Sequence, residues 1–130
     1  MSKPILCLDF DGVIHSYASG WKGAANVPDP PVPGAIAFLR EAVQHFRVAI
    51  YSSRSGQEGG IRAMREWLVY HVLDQRLSDQ EDLAWISMIE WPTAKPPAMV
   101  TLDDRALTFD GTWPEITTLL AFKPWNKHGL

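Results

Sequence analysis

The residue pattern predicts an α/β fold, with a mostly parallel central sheet and helices on both faces. Three observations carry the prediction. Short apolar runs at residues 5–9, 47–51 and 98–102 each end in polar or charged groups. Between them lie segments whose apolar residues recur three and four apart, the mark of amphipathic helices. Glycines and prolines such as Pro33, Gly34, Gly59 and Gly60 punctuate the two kinds of segment. Strands that alternate with helices favour parallel pairing, because each crossover returns the chain to the same edge of the sheet.

Taken in order, the first strand covers residues 5–9. A loop rich in Gly, Pro and aromatics follows over 15–33. The first helix is expected from about Pro33 to His45, with Ile36, Leu39, Val43 and Phe46 on its apolar stripe and a proline in its first turn. The second strand is 47–51. A second helix is expected from about Ile61 to Leu73, with Ile61, Met64, Leu68 and Val72 facing inward. Ser78 and Glu81 have the spacing of a capping box, which suggests a short helix at 78–84. Residues 85–89 and 98–102 read as strands, and 106–109 as a short final strand before the Asp110-Gly111 turn. Thr112 and Glu115 are expected to cap a last helix reaching about Phe122. The tail 123–130 shows little periodicity and reads as loosely held.

At 130 residues the chain has the length of one domain, 1–130. A hydrophobic content of 46% and six tryptophans argue against disorder. The net charge of −3 comes without a dense basic cluster, which argues against tight general nucleic-acid binding but leaves recognition of a strand end open. Cys7 is the single cysteine and lies inside the first strand, so it reads as a small buried residue. No apolar run has spanning length, and no signal peptide is visible. The expected setting is cytoplasmic, with no membrane partner and no obligate protein partner.

The first strand ends in Asp9-Phe10-Asp11-Gly12. Two carboxylates two residues apart share one face of a strand and raise each other's pKa unless a cation or a shared proton intervenes. Alone, such a pair fits a turn or a calcium site as well. The second strand runs into Ser52-Ser53-Arg54-Ser55-Gly56, a loop of small residues and donors suited to an anion. Lys95 stands in a proline-stiffened loop, and the strand 98–102 ends in Asp103-Asp104-Arg105. Three strands thus deliver polar groups at their carboxyl ends, the edge where open α/β sheets bind ligands.

The ordered set Asp9-x-Asp11, Ser52, Lys95 and Asp103-Asp104 resembles the haloacid dehalogenase (HAD) superfamily of phosphohydrolases, over roughly residues 4–122. A response-regulator receiver uses similar residues, but its acidic pair comes first rather than last. The dehalogenase branch of the superfamily lacks the second acid, which Asp11 supplies here. The resemblance implies a HAD-like Rossmannoid three-layer sandwich. The intervals between motifs are short, which implies the capless class, whose open site often serves phosphates on large molecules.

By the resemblance the chain is a Mg²⁺-dependent phosphomonoester hydrolase. Asp9 would be the nucleophile that forms an aspartyl-phosphate, and Asp11 the general acid and base, its backbone carbonyl reaching the metal. Ser52 would donate to the phosphoryl group, and Lys95 would neutralise its charge and steady Asp9. Asp104 would bind Mg²⁺ directly, with Asp103 behind it. Ser53, Arg54 and Gly12 are the candidate substrate-binding residues. Read singly, Ser52 is a strand-end cap, Lys95 a solvated lysine and Arg54 half of a surface ion pair. His15, Tyr17, Trp21 and Lys22 lie where the family places a mobile flap, and its aromatics could stack on a base or pack against Pro28–Pro33. His45 and His71 lack metal-ligand spacing and read as structural. Polynucleotide-end phosphatases share this layout, so a nucleotide or nucleic-acid end phosphate is the implied substrate. The alternative is a non-catalytic HAD-like module that binds a phosphorylated partner.

Overall fold

The computed structural model of the chain describes residues 3–78 and 80–127. Three parallel strands form its sheet: β1 (Ile5–Leu8), β2 (Arg47–Ile50) and β3 (Val100–Leu102), in the order β2-β1-β3. Helices α1 (Ala35–His45) and α2 (Gly60–Gln75) follow β1 and β2 in the chain, and a short α3 (Ile116–Leu120) follows β3. The chain is therefore a small α/β fold with parallel pairing, as the alternation requires.

Register places the chemistry. Leu8 of β1 pairs with Ile50 on one side and Leu102 on the other. Asp9 therefore leaves the sheet level with Asp103, and its backbone N–H still donates to Leu102 O at 3.0 Å. The three strand ends come out side by side.

One core cluster holds the elements together. Leu6 and Leu8 of β1, Val48 and Ile50 of β2, Leu39 and Val43 of α1, and Met64, Trp67 and Leu68 of α2 all belong to it. Each such side chain contributes about 1.5–3 kcal/mol on removal from water. The stripes expected on both helices face this core, with Phe46 and Ile61 half-buried at its margin. Trp67 joins them, its indole N–H donating to Asp29 O at 2.8 Å. Pro33 and Gly34 precede α1 rather than lying in it.

Four expected elements differ. Residues 85–89 are not a strand: Ala84–Met88 form a 3₁₀ turn, in which Ala84 N donates to Asp82 Oδ1 and Ser87 Oγ donates to Ala84 O. The bridge to the sheet is made by Glu90, parallel to Ala49, while Trp85 and Ile89 join the core cluster. At 78–84 no helix forms among the described residues, residue 79 lying outside them. Glu81 bonds Arg40 of α1 at 3.3 Å instead of closing a capping box. Residues 106–109 run as exposed irregular chain, not as a strand. Thr112 N donates to Asp110 Oδ1 in an Asx turn, so α3 starts only at Ile116 and makes no side-chain cap bond.

β3 is shorter than the expected 98–102, and its Val100 and Leu102 are exposed. Trp125–Lys127 form a 3₁₀ turn, and Trp125 Nε1 donates to Gly12 O at 2.7 Å. Residues 128–130 lie outside the described residues. No helix among the described residues is long and apolar enough to cross a membrane.

Candidate metal and phosphate site

At the carboxyl ends of β1 and β3, Asp9, Asp103 and Asp104 converge. One carboxylate oxygen from each lies within 4.8 Å of the others. The Asp104 side chain is almost wholly buried, and its Oδ1 has no hydrogen-bond partner. A buried carboxylate oxygen without a partner is costly, and a cation is the partner that fits three converging acids. The hard oxygen donors suit Mg²⁺. Asp103 is exposed, and its Oδ1 accepts from Arg105 N at 2.8 Å, which fixes the turn after β3.

Without a cation, burial drives Asp9 and Asp104 toward their protonated forms. Burial, followed by the charges of Asp103 and Asp104, raises the Asp9 pKa from 3.8 to about 8, although Phe10 N–H donates to its Oδ1. Burial raises Asp104 as well. Gly12 explains how the acids come so close. Its φ is 83°, and a Cβ there would overlap Asp104 Oδ2. Only glycine fits this turn, and the constraint is packing against a site acid as well as backbone freedom.

Asp11 points elsewhere. Arg54 grips it with two bonds, Nε to Oδ2 at 2.9 Å and Nη2 to Oδ1 at 3.1 Å, and His15 Nδ1 lies 2.8 Å from Oδ1. His15 Nε2 accepts from Asp29 N–H, so the ring's proton sits on Nδ1 and is donated to Asp11. Burial opposes the Asp11 charge, but the bonds from His15 and Arg54 outweigh it and hold the carboxyl below its ordinary range. The carboxylate is ionised and takes no part in the three-acid cluster.

Arg54 is fully buried and is not a substrate grip in this geometry. Its Nη1 donates to Gly23 O, Ala24 O and Asn26 O at 2.9–3.0 Å, and its guanidinium lies 4.9 Å from the Trp21 ring centroid. The loop 15–33 is thereby bolted to the end of β2. Asp29 locks its other side, accepting from Ser19 N at 2.8 Å and Ser19 Oγ at 2.6 Å. Gly60 makes room for the bolt, because a Cβ there would overlap Arg54 O.

His15 is buried between Asp11 and Asp29, stacked on Phe10, and is not free to stack on a ligand. Tyr17 and Trp21 do line the acid pocket, a cavity of about 360 Å³ with Asp9, Asp11, Ser53, Asp103, Asp104 and Arg105. Tyr17 has a φ of 60°, strained for a non-glycine residue. Ser52 turns inward: its Oγ accepts from Arg54 N at 2.9 Å, and its N–H donates to Ser55 Oγ. Ser53 is the hydroxyl residue that lines the pocket. Lys95 is exposed and does not line it; its charge is felt at the buried Cys7 thiol. Lys22 is exposed, while His71 packs against Trp67 at 4.6 Å between ring centroids, a structural position.

Three contributors escaped the sequence reading. Arg105 follows the acidic pair directly, and that adjacency was a usable signal. Asp29 and Trp125 carried none.

Trp21 is 46% exposed despite its contact with Arg54. Trp21→Ala is therefore expected to cost only about 0.5–1 kcal/mol of stability, the worth of an exposed cation–π contact. Urea unfolding checks this, and a loss of several kcal/mol would place Trp21 in the core.

Compared with protein-family models, curated proteins and solved structures, the chain matches none.

Proposed function

We propose that the chain is a Mg²⁺-dependent phosphomonoester hydrolase of the HAD type, working through an aspartyl-phosphate on Asp9. The observation that carries this reading is a buried Asp104 carboxylate that converges with Asp9 and Asp103 and has one oxygen, Oδ1, without a partner. Its fold would be the capless HAD-like Rossmannoid sandwich, of which the three parallel strands are the coarse outline. Asp9, Asp103 and Asp104 would hold Mg²⁺, together with the Asp11 carbonyl. When bound, the ion supplies the positive charge that a dianionic phosphate needs to approach four aspartates.

In the first step an Asp9 oxygen attacks phosphorus and the ester P–O bond breaks. In the second, water attacks the acyl phosphate, and inorganic phosphate and Asp9 are released. Asp11 is ionised by its two partners, so it is ready to take the proton of that water. To protonate the leaving oxygen it must first gain a proton against the hold of Arg54. Ser53 and Arg105, on the pocket wall, supply donors to the phosphoryl oxygens. Tyr17 and Trp21 offer aromatic surface beside them, which favours a nucleotide or nucleic-acid end phosphate.

The position of Lys95 outside the pocket favours a second reading, a non-catalytic module that binds a metal and a phosphorylated partner. One experiment separates the two. Phosphate release is measured from nucleotides, end-phosphorylated oligonucleotides and sugar phosphates, with Mg²⁺, with Ca²⁺ and with excess chelator. The expected result is turnover with Mg²⁺ alone, since Ca²⁺ binds with longer and looser coordination. Turnover in chelator would remove the metal-assisted scheme. Metal binding without release from any substrate would leave the module.

A further inference from the structure

The last described turn of the chain touches the acid cluster at Gly12. Trp125–Lys127 form a 3₁₀ turn, and Trp125 Nε1 donates to Gly12 O at 2.7 Å. Trp125 is not among the residues that line the acid pocket, so it has no direct part in holding a phosphate there. Its contact is with the turn that spaces the acids.

Gly12 meets the cluster on three sides. Its N–H donates to His15 O at 2.8 Å. That N–H lies in the same planar peptide as the Asp11 carbonyl, so the bond also fixes the direction of the carbonyl. At its centre φ is 83°, and its backbone lies so close to Asp104 that a Cβ would overlap Oδ2. On its far side the carbonyl accepts from the indole. Among the described residues no backbone N–H donates to Gly12 O, so the indole is what holds this second peptide. Glycine has the widest conformational freedom of any residue, and a turn built on it keeps one shape only when both flanking peptides are tied. His15 O ties one, and Trp125 ties the other.

Resting on the Mg²⁺ site proposed above, we propose that Trp125 is a positioning residue for the ion. Through Gly12 it holds the Asp11 carbonyl and the Asp104 carboxylate at one spacing. Removing a group that orients metal ligands from behind costs about 10–100-fold in affinity. The coupling is reciprocal: if the seated indole favours the ion, the bound ion favours the seated indole by the same factor.

Mn²⁺ binding to the full chain, followed by loss of the free ion's paramagnetic resonance signal, tests the first half. Trp125→Phe keeps a ring and removes the donor, and it is expected to bind about tenfold more weakly or worse. Trp113→Phe, at a residue 84% exposed, is the matched control and is expected to bind like the unmodified chain. A bond that served only the fold would lower the unfolding midpoint and leave the affinity of the folded protein alone. The second half needs no variant. In NMR spectra of the unmodified chain, saturating Mg²⁺ should slow solvent exchange of the Trp125 indole N–H by that same factor and leave that of Trp113 unchanged. Equal Mn²⁺ affinity in Trp125→Phe, or an indole exchange rate indifferent to Mg²⁺, overturns the proposal while the metal site stands. An unmodified chain that takes up no Mn²⁺ overturns both.

Discussion

Asp9→Asn is expected to abolish phosphate release while stabilising the metal-free protein. The two effects share one cause. Asp9 is the attacking group in the proposed reaction, and nucleophile deletions cost roughly 10⁴-fold or more in turnover. The same carboxyl is held near two other acids, and burial, then Asp103 and Asp104, raises its pKa from 3.8 to about 8. The folded state therefore keeps a proton that the unfolded chain loses above about pH 4. The contribution of Asp9 to stability is full below that value and is lost as pH rises through about 8. Asparagine carries no such charge, so the variant's advantage should grow across this window. At pH 8 to 9 a rise in Tm of about 3–6 °C, worth ~1 kcal/mol in a domain of this size, is the expected scale. Added Mg²⁺ should stabilise the unmodified protein more than the variant. A Tm that falls in the variant, or a gap that does not vary with pH, would show that the three acids are not crowded together.

Arg54→Ala should produce the largest loss of stability of any single change at the site. It strips both bonds from a part-buried Asp11 and the donor from three loop carbonyls at once. Breaking a buried ion pair from one side costs about 3–5 kcal/mol, and the Asp11 charge would keep only its bond from His15. Arg54→Lys keeps the charge but not the fork, so it should recover only part of the loss. Urea unfolding at neutral pH measures both. In the double variant Arg54→Ala, Asp11→Asn the losses should be less than additive, since no stranded charge remains. The pH trend runs opposite to that of Asp9. The Asp11 carboxyl is held below its ordinary value of 3.8, so its contribution is present above that value and fades as pH falls below it. A cost under about 1 kcal/mol for Arg54→Ala would match an exposed ion pair and remove the clamp.

What the residue pattern could reveal follows from the range of the forces involved. β1, β2, α1 and α2 were legible because one face of each meets a common core, and that burial imposes period two or 3.6 locally. The acids of β1 and β3 were legible for a related reason: strand ends are easy to find, and the register then sets Asp9 level with Asp103. Residues 85–89 were not, because a short run of four apolar residues around Ser87 serves a 3₁₀ turn as well as a strand. Here Asp82 and Ser87 decide the matter through bonds that span two and three residues. Arg54 was misread as a surface or substrate group because its partners lie 28–43 positions away in the chain. Nothing local marks an arginine as buried when three carbonyls of a remote loop do the solvating. Lys95 illustrates the converse: motif order alone could not fix where a flexible side chain ends in space.

The bond from Trp125 to Gly12 joins residues 113 positions apart. A ribosome adding about 5–20 residues per second needs on the order of ten seconds to make that span. Through that interval β1 can pair with β2, while the Asp9 end waits for β3 and the Gly12 turn waits for the indole. Contacts this distant in sequence form late, because loop closure must be met before they return anything. The nascent chain thus carries Asp9 and Asp11 without the two acids that complete the cluster, and the centre assembles only once Asp103 and Asp104 have emerged.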